Sequence, residues 1–379
     1  MKDRNPTLIL RMTNKCNLNC KYCYDKENHN SLEDENKEII DNMDIIVENI
    51  VKVLSNPYTI NNIIFHGGEP LIIKGEIYEK LILKILEYRP NTKFSIQTNG
   101  TLLNEEHIKI FKKYNVHIGI SLDGYNENTN ENRIFKNGIN SFNSIMKNIE
   151  KLRKNKMNYG IIMGISKQLL GNEEEVYKFI YNNDLKCNIR PIFLNCGDNS
   201  IVITNKEYAQ FFENLFEIWI KDEKVKLKQI TEIYEEFYKC LNEEFVVKRC
   251  SCIENCFIKF ICMDLNGNLY VCNRNYNIKN FYYGNIKNVT IEEVIRQMRE
   301  FMFKRKEYIY KSKCNKCELF KECYGGCPSN AYIQHGTIFS CDDYFCQAKL
   351  EIRHYIKKRL LEMGLLREYK DGLEKKKKA

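Results

Sequence analysis

Between residues 6 and 195 the chain alternates short β-rich runs with longer amphipathic segments, and this alternation constrains the fold more than any other feature. Continuously apolar strands separated by helices form parallel sheets, because the crossover helices cover the faces of the sheet. The sequence therefore predicts an α/β fold with a partial (β/α)6 TIM-like barrel, since a complete barrel has eight units. The predicted strands are residues 7–12, 62–65, 93–97, 116–121, 159–165 and 188–194, and the clearest helices are residues 37–54 and 76–88.

Distinctive motifs follow the first four predicted strands. Three cysteines (Cys16, Cys20 and Cys23) follow the first strand, HGGEP follows the second, TNG the third and LDG the fourth. The active sites of barrels lie at the carboxyl ends of the strands. We therefore expect a functional site where these loops meet.

The cysteines are numerous and unevenly placed. Of 17 cysteines, three lie between residues 16 and 23 and twelve between residues 240 and 346. The sequence has no signal peptide pattern and no apolar run of about 18 residues, so we expect a cytoplasmic protein that does not associate with membranes. Disulfides are disfavoured in that compartment, which leaves metal ligation or catalysis. The net charge of +9, four of it from a terminal KKKK, does not indicate a nucleic-acid partner.

The first three cysteines have the spacing C-x3-C-x2-C. A structural zinc site needs a fourth thiolate or imidazole, and the nearest candidate is His29 in a polar stretch. Three thiolates on a four-iron cluster instead leave one iron open, which is what catalysis requires. Tyr22 precedes the last cysteine and is placed to cover such a cluster.

The cysteine loop and HGGEP together resemble the radical SAM superfamily, whose signature is C-x3-C-x-aromatic-C after the first strand of a partial barrel. The resemblance implies a [4Fe-4S] cluster on Cys16, Cys20 and Cys23 that binds S-adenosyl-L-methionine. Glycines leave backbone groups open to a ligand. The cofactor-site residues implied by the resemblance are Tyr22, Gly67, Gly68, Glu69, Gln97, Asn99, Ser121 and Arg133. The last four are each also compatible with a capping or solvated role, and GGEP alone with a simple turn.

The C-terminal cysteines form a second motif, C-x2-C-x5-C-x3-C, and Asn266-Gly267 upstream of it predicts a hairpin. This region resembles the SPASM domain, which implies two further [4Fe-4S] clusters, three in all. The resemblance assigns one cluster to Cys250, Cys256, Cys272 and Cys327, and the other to Cys314, Cys317, Cys323 and Cys346.

Several alternatives stay open in this region. Cys252 and Cys262 can replace their neighbours as ligands, and four-thiolate sites also suit zinc. Cys240 and Cys341 are left over and, like Cys187 and Cys196, are small hydrophobes or working thiols. The predicted domains are residues 1–202 for the barrel, 203–242 for a helical connector, 243–349 for the SPASM domain, and 350–379 for a helix and a lysine-rich tail.

The whole layout most resembles anaerobic sulfatase-maturating enzymes, with one departure. Those enzymes have an aspartate, thought to take a proton from the substrate, after the cysteine that corresponds to Cys272, and this chain has Asn273. An amide does not accept a proton at neutral pH. We therefore expect a peptide maturase that uses a 5′-deoxyadenosyl radical to oxidise a ribosomally made precursor, forming a thioether, a carbon–carbon link or a similar product.

Sulfatase maturation, with formylglycine as its product, is the first alternative to that expectation. An iron–sulfur or zinc scaffold without catalysis is the second. The expected partners are a precursor peptide or protein and an electron donor such as flavodoxin or ferredoxin. Because the first strand begins near residue 7, we expect no separate N-terminal domain for peptide recognition.

Overall fold

Nine strands form one sheet in the computed structural model, which describes residues 6–29, 35–55, 60–193, 199–222, 230–241, 256–342 and 344–365. Six of them pair in parallel in the order in which they occur along the chain, so that the carboxyl ends of all six lie at one edge. This arrangement confirms the predicted partial barrel. The six strands are β1 (Thr7–Thr13), β2 (Asn62–Gly67), β3 (Lys93–Thr98), β4 (His117–Ser121), β5 (Tyr159–Ile165) and β6 (Cys187–Pro191).

Helices connect the strands and cover the outer face of the sheet. The segment predicted as one helix over residues 37–54 has a one-residue irregularity at Asn42, across which the helical backbone hydrogen bonds continue and whose side chain also donates to the Glu38 carbonyl (2.9 Å). Asparagine side chains compete with the helical backbone in this way. The helices of the barrel are α1 (Glu35–Asp41), α2 (Met43–Leu54), α3 (Gly75–Tyr88), α4 (Glu105–Lys113), α5 (Phe142–Lys154) and α6 (Glu173–Asn182).

The strands bury one face against these helices and turn polar residues inward. In β2, Ile63 and Phe65 are buried, whereas His66 is half-buried and lies on the opposite face. Side chains alternate between faces along a strand. In β1, Arg11 pairs in register with His66, and both lie within the partial barrel near its carboxyl edge. The strand residues that point inward are therefore the ones that reach the predicted site.

Three further strands, β7 (Phe260–Asp264), β8 (Asn268–Tyr270) and β9 (Tyr282–Asn285), extend the sheet beyond β1. The predicted hairpin at residues 266–267 joins β7 and β8, and Gly267 has the positive φ (+86°) that its turn requires. Strand β7 pairs in parallel with β1, which the sequence analysis did not predict. The C-terminal region thus begins on the free edge of the barrel strand that leads into the cysteine loop.

The C-terminal half adds seven helices to the described chain, and two of them pack together. The aromatic face predicted for residues 204–242 is buried in α7, which includes Phe216 and Trp219. Glu217 of α7 pairs with Arg359 (2.5 Å) and accepts a hydrogen bond from Tyr355 (3.0 Å), both in α13. The seven are α7 (Asn205–Lys221), α8 (Thr231–Leu241), α9 (Cys256–Lys259), α10 (Ile291–Lys311), α11 (Phe320–Cys323), α12 (Pro328–His335) and α13 (Cys346–Glu362). Within the described residues, no helix is long and apolar enough to span a bilayer.

The barrel core can be tested with two leucines of α3. Leu81 is fully buried and Leu83 is 45% exposed. We expect Leu81→Ala to lower the free energy of unfolding by about 2–5 kcal/mol, because a cavity replaces buried contacts. Leu83→Ala is the matched control and should change it by less than about 0.5 kcal/mol. Urea denaturation measures both, and equal shifts in the two midpoints would contradict the packing described.

Candidate active site

The three predicted cluster cysteines lie together in one loop after β1. Cys16 and Cys20 are buried with Leu18, and Cys23 and Phe135 pack against them. The loop is held to the segment after β4, because the amides of residues 19 and 21 donate to the carbonyls of residues 134 and 132 (2.7 and 3.0 Å). Three thiols in one pocket fit the predicted three-cysteine ligand set.

Burial sets the protonation of these thiols. It raises the pKa of both Cys16 and Cys23 to about 12. Thiols ligate metals as thiolates, so an electron-poor metal centre is what would deprotonate them at neutral pH. His29, the fourth ligand of the alternative zinc site, has its Nε2 4.0 Å from the Cys23 thiol. No set of three or more His, Cys, Asp or Glu side chains in the described ranges is arranged around a single metal position.

The glycines of HGGEP lie directly against the cysteine loop. The Gly68 amide donates to the Thr13 carbonyl (2.9 Å), and the Glu69 amide donates to the Lys15 carbonyl (2.7 Å). A Cβ on Gly67 would lie 2.2 Å from the Thr13 oxygen, and one on Gly68 would lie 2.3 Å from the Lys15 oxygen. Glycine is therefore needed here because two backbones touch, a reason different from the ligand access expected from the sequence.

Glu69 joins the loops that follow β2 and β3. Its carboxylate is buried and accepts hydrogen bonds from the Leu71 amide (2.9 Å), the Thr98 hydroxyl (2.5 Å) and the Asn99 amide (2.7 Å). Burial raises the pKa of Glu69, and these donors oppose that shift. The carboxylate thus fixes the position of Asn99 beside the cysteine loop.

Three other predicted residues lie close to this junction. The Asn99 amide donates to Asn17 (2.9 Å) and approaches the Cys16 thiol (3.9 Å). Gln97 donates to the Ser121 hydroxyl (3.1 Å) on the inner face of the sheet. The structure therefore brings the predicted polar residues of β3 and β4 to the same edge as the cysteine loop.

Arg133 and Tyr22 form a buried group with Asp123, a residue that the sequence analysis did not single out. The Arg133 guanidinium donates to the Tyr22 oxygen (2.6 Å) and lies 3.6 Å from the Asp123 carboxylate, to which the Tyr22 hydroxyl donates. Burial opposes the charge of Arg133, and the neighbouring Tyr22, Cys20 and Asp123 more than offset it, so the pKa of Arg133 is raised. The LDG motif after β4 was the available signal for Asp123.

Asn273 lies beside β1 and β2 in a second buried group. Its carbonyl oxygen accepts from Arg11 (2.8 Å), and its amide nitrogen lies 2.5 Å from the Tyr24 hydroxyl and 3.3 Å from His66 Nδ1. Arg11 is only 1% exposed and pairs with Asp25 (2.8 Å). Arg11 and His66 were not predicted as site residues, although an arginine inside the apolar run TLILRM is a usable signal.

Two ligands predicted for the first C-terminal cluster lie near a half-buried arginine, Arg274. Arg274 approaches the Cys327 thiol (3.8 Å) and donates to Asn330 (2.8 Å), and the charge of the Cys272 thiol also acts on it. Cys256 begins α9, and Cys250 and Cys252 lie outside the described residues.

A buried arginine, Arg305, lies near two cysteines of the first predicted set and near Cys341. Its guanidinium donates to four backbone carbonyls, those of residues 325, 326, 338 and 340, and it forms no ion pair with a described carboxylate. Burial lowers the pKa of Arg305, and Cys327, Cys256, Cys341 and Asp342 oppose that shift. A buried cation needs a compensating anion. Anionic iron–sulfur clusters at these cysteines would supply one, so the residues present fit the predicted groups.

The second C-terminal set includes a cysteine that the sequence analysis left unassigned. The Cys341 thiol is buried, 3.0 Å from Cys314 and 3.3 Å from the Ser312 hydroxyl. The charge of the Cys346 thiol, at the start of α13, also acts on Cys314. Cys341 and Cys346 are therefore both close to the set that contains Cys314, Cys317 and Cys323.

Two other unassigned cysteines lie elsewhere. Cys262 is fully buried within β7, with its thiol 4.0 Å from the Asn273 oxygen. The Cys240 thiol, in α8, lies 3.9 Å from the Arg353 carbonyl.

Comparison with known proteins finds similar chains along almost the whole length. The Radical SAM superfamily model matches residues 10–180. The cysteine-type anaerobic sulfatase-maturating enzyme of Clostridium perfringens is 27% identical over 372 residues, or 94% of this chain and 97% of that enzyme.

Solved structures agree in fold. Native anSMEcpe with bound AdoMet and a peptide superposes with a TM-score of 0.75 at 25% identity, over 94% of this chain and 99% of that chain. Streptococcus suis SuiB bound to the precursor peptide SuiA has a TM-score of 0.63 at 16% identity, over 90% of this chain and 76% of that chain. These similarities confirm the partial barrel with a cysteine-rich C-terminal region.

The contact between the glycines and the cysteine loop yields a prediction for Gly68→Ala. A methyl group there would overlap the Lys15 and Asn14 carbonyls (2.3 and 2.7 Å), so one loop must shift. Overpacking of this kind costs about 1–3 kcal/mol. We expect the Kd for S-adenosylmethionine to rise roughly 5- to 150-fold, measured by anaerobic calorimetry. Gly160→Ala, whose Cβ would have its nearest contact at 3.6 Å, is the control. An unchanged Kd for Gly68→Ala would contradict the role assigned to this contact.

Proposed function

The chain is a radical SAM enzyme with the full-length layout of the anaerobic sulfatase-maturating relatives, and from this premise we propose that it oxidises a residue of a peptide or protein substrate. The observation that carries the proposal is the cysteine loop, whose three thiols lie in one pocket next to the Gly67–Gly68 backbone. This junction is at the carboxyl edge of the parallel strands, where barrel enzymes bind their substrates.

In this proposal Cys16, Cys20 and Cys23 hold a [4Fe-4S] cluster with one open iron. When bound, that cluster and S-adenosylmethionine supply a 5′-deoxyadenosyl radical, given one electron from a donor such as flavodoxin or ferredoxin. The chemistry belongs to these cofactors, and the protein binds and orients them and excludes water. The residues proposed to line the S-adenosylmethionine site are Tyr22, Gly67, Gly68, Glu69, Gln97, Asn99, Ser121 and Arg133.

The protein's contribution at this site is a set of groups that are already fixed. Glu69 is satisfied by three donors and so holds the loop after β3 in place. Arg133 is neutralised by Asp123 and keeps Tyr22 against the cysteine pocket. Preorganised polar groups of this kind need little reorganisation when a ligand binds.

The proposal includes two auxiliary clusters in the C-terminal region. Cys250, Cys256, Cys272 and Cys327 are the proposed ligands of one. For the other we infer that Cys341, which contacts Cys314 directly, competes with Cys346 for the fourth position beside Cys317 and Cys323. The division of the chain at residues 202, 242 and 349 is part of the same proposal.

Two substrates are candidates. The relatives that match over the whole length favour a sulfatase polypeptide, which is the alternative and not the first expectation of the sequence analysis. Asn273 favours a ribosomally made precursor peptide, because an amide at this position accepts no proton. Both solved relatives described above hold peptides, which supports a peptide segment as the substrate in either case.

Replacement of Cys16 tests the radical chemistry. We expect Cys16→Ala to abolish 5′-deoxyadenosine formation from S-adenosylmethionine under reducing, anaerobic conditions, because a cluster with two thiolates would be lost or misplaced. Chromatography of the reaction mixture measures the product. Cys187→Ala, a buried cysteine at the start of β6, is the control and should remain active. Continued formation of 5′-deoxyadenosine by Cys16→Ala would refute the assignment.

The substrate is tested by incubation with two kinds of peptide, a cysteine-containing sulfatase peptide and short peptides taken from reading frames next to the gene. Mass spectrometry distinguishes formylglycine in the first from a dehydrogenated crosslink in the second. Either product supports oxidation of a peptide residue and selects between the two substrates. S-adenosylmethionine cleavage that neither peptide changes, with no product from either, would count against the proposal.

Iron content tests the second auxiliary site. If Cys341 is the fourth ligand, Cys341→Ala should lose about four irons per chain, the content of one cluster, while Cys346→Ala keeps them. Cys240→Ala is the control, because its thiol lies on α8 beside Arg353. Anaerobic reconstitution followed by iron analysis measures the difference. Loss of iron from Cys346→Ala alone would show that Cys346, and not Cys341, is the fourth ligand of this cluster.

A further inference from the structure

A buried hydrogen-bonded group connects β1, β2 and the turn after β8. It consists of Arg11, Tyr24, Asp25, His66 and Asn273, and we call it the Asn273 cluster. The cluster lies inside the partial barrel, next to the Gly67–Gly68 backbone and one residue from Cys23. None of its members is a predicted iron–sulfur ligand, so cluster binding does not account for these buried polar side chains.

Arg11 fixes the orientation of the Asn273 amide. A guanidinium has donors and no acceptors, so the oxygen of the amide must face it. Arg11 Nη1 lies 2.8 Å from Asn273 Oδ1, and Arg11 is itself held by Asp25 (2.8 Å), Asn14 (2.9 Å) and the Tyr276 ring (3.8 Å). Turning the amide over would place its NH2 group against a cation. Asn273 therefore presents its two N–H donors to the other side.

Those donors determine which nitrogen of His66 carries hydrogen. The Asn273 amide nitrogen is 3.3 Å from His66 Nδ1, and the Gly67 backbone amide donates to the same nitrogen (2.8 Å). One acceptor, the Gly67 carbonyl, is also 3.3 Å away, but two donors converge on the nitrogen. Nδ1 must therefore offer its lone pair, and the hydrogen of the neutral ring lies on Nε2.

The charge state of His66 agrees with this arrangement. Burial, followed by the charge of Arg11, lowers the pKa of His66 to about 4, so the ring is neutral at pH 7. The side chain is half-buried, and its Nε2 has no hydrogen-bond partner among the residues that the structure describes. A neutral ring with a free N–H on the inner face of β2 is a hydrogen-bond donor available to a ligand.

We propose that His66 Nε2–H is a substrate-binding donor of this enzyme, and that Asn273 is the positioning residue that keeps the hydrogen on Nε2. The group that His66 recognises is a hydrogen-bond acceptor of the bound peptide, such as a carbonyl oxygen. Neither residue removes a proton from the substrate, since the Nδ1 lone pair is occupied and the Asn273 amide has no basic atom. The peptide nature of the ligand rests on the function proposed above, whereas the tautomer rests on the Asn273 cluster alone.

The tautomer is measured by nitrogen NMR of the anaerobically reconstituted protein, labelled with 15N only in histidine. His66→Gln identifies the His66 signals by their disappearance. We expect wild-type Nδ1 to resonate as a non-protonated nitrogen and Nε2 as a protonated one, at pH 7. A protonated Nδ1, or a ring charged at pH 7, would overturn the proposal.

Asn273→Asp provides the decisive variant. A carboxylate accepts and does not donate, so hydrogen should shift towards Nδ1 against the Gly67 amide that still donates there, and the Nδ1 signal should move towards that of a protonated nitrogen. Asn277→Asp adds the same charge at an exposed position four residues further on and should leave the signals unchanged. If Asn273→Asp folds and binds its clusters but leaves the His66 signals unchanged, Asn273 does not set the tautomer.

The donor role is measured by kinetics on the peptide that the wild-type protein oxidises. His66→Leu removes the donor and should lower kcat/KM about three- to tenfold, as expected for one lost neutral hydrogen bond. His66→Gln keeps a side-chain N–H and should retain most of the activity. Cleavage of S-adenosylmethionine without peptide is measured in both variants, so that a loss of cofactor binding is distinguished from a loss of the donor. An equal loss of kcat/KM in both, or in neither, would refute the donor role.

The two proposals fail in distinguishable ways. If no peptide is oxidised, the proposed function fails while the NMR result still decides the tautomer. If a peptide is oxidised and the NMR signals show hydrogen on Nδ1, the function stands and the inference about His66 is wrong.

Discussion

Strand β1 is paired on both edges, and the placement of Arg11, at the centre of the Asn273 cluster, depends on that pairing. Parallel pairing with β2 brings the start of the cysteine loop against Gly67 and Gly68, and parallel pairing with β7 attaches the C-terminal region to the other edge. Arg11 is therefore in register with His66 on one side and with Asp264 on the other. Because a slip of one residue would turn Arg11 to the opposite face, this register is strongly constrained.

Buried arginines are neutralised differently in the barrel and in the C-terminal region. Arg11 pairs with Asp25 and Arg133 lies beside Asp123, so each barrel cation is neutralised by the protein itself. Arg305 has four carbonyls around it and no described carboxylate in contact. Asp342 acts on the charge of Arg305 without forming an ion pair with it. A buried cation without an ion-pair partner is costly, and the clusters proposed for the neighbouring cysteines would add negative charge beside it.

Much of the fold followed from local sequence patterns. Six of the strands and the hairpin at residues 266–267 were predicted because alternating apolar runs and an Asn-Gly turn are short-range signals. The parallel pairing of β7 with β1 was not predicted, since it joins residues about 250 positions apart and leaves no local pattern. The irregularity at Asn42 was not predicted, because it is confined to one residue and both the amphipathic pattern and the backbone hydrogen bonds continue through it.

The candidate active site, like the fold, was predicted from the sequence where its residues belong to contiguous motifs. The cysteine loop, Glu69 and Asn99 were found because their motifs are contiguous, and the structure brings them together. Asp123, Arg11 and His66 acquire their roles only from partners distant in sequence. Asn273 was noticed as a departure from a resemblance, but its effect on His66 depends on the orientation that Arg11 imposes.

The most direct test of the account is the metal content of the anaerobically reconstituted wild-type chain. One open cluster in the barrel and two closed clusters in the C-terminal region predict about twelve irons per chain, with no stoichiometric zinc. About four irons together with zinc on the C-terminal cysteines would contradict the account, because the charge of Arg305 and the eight remaining thiolates would then belong to a different kind of site.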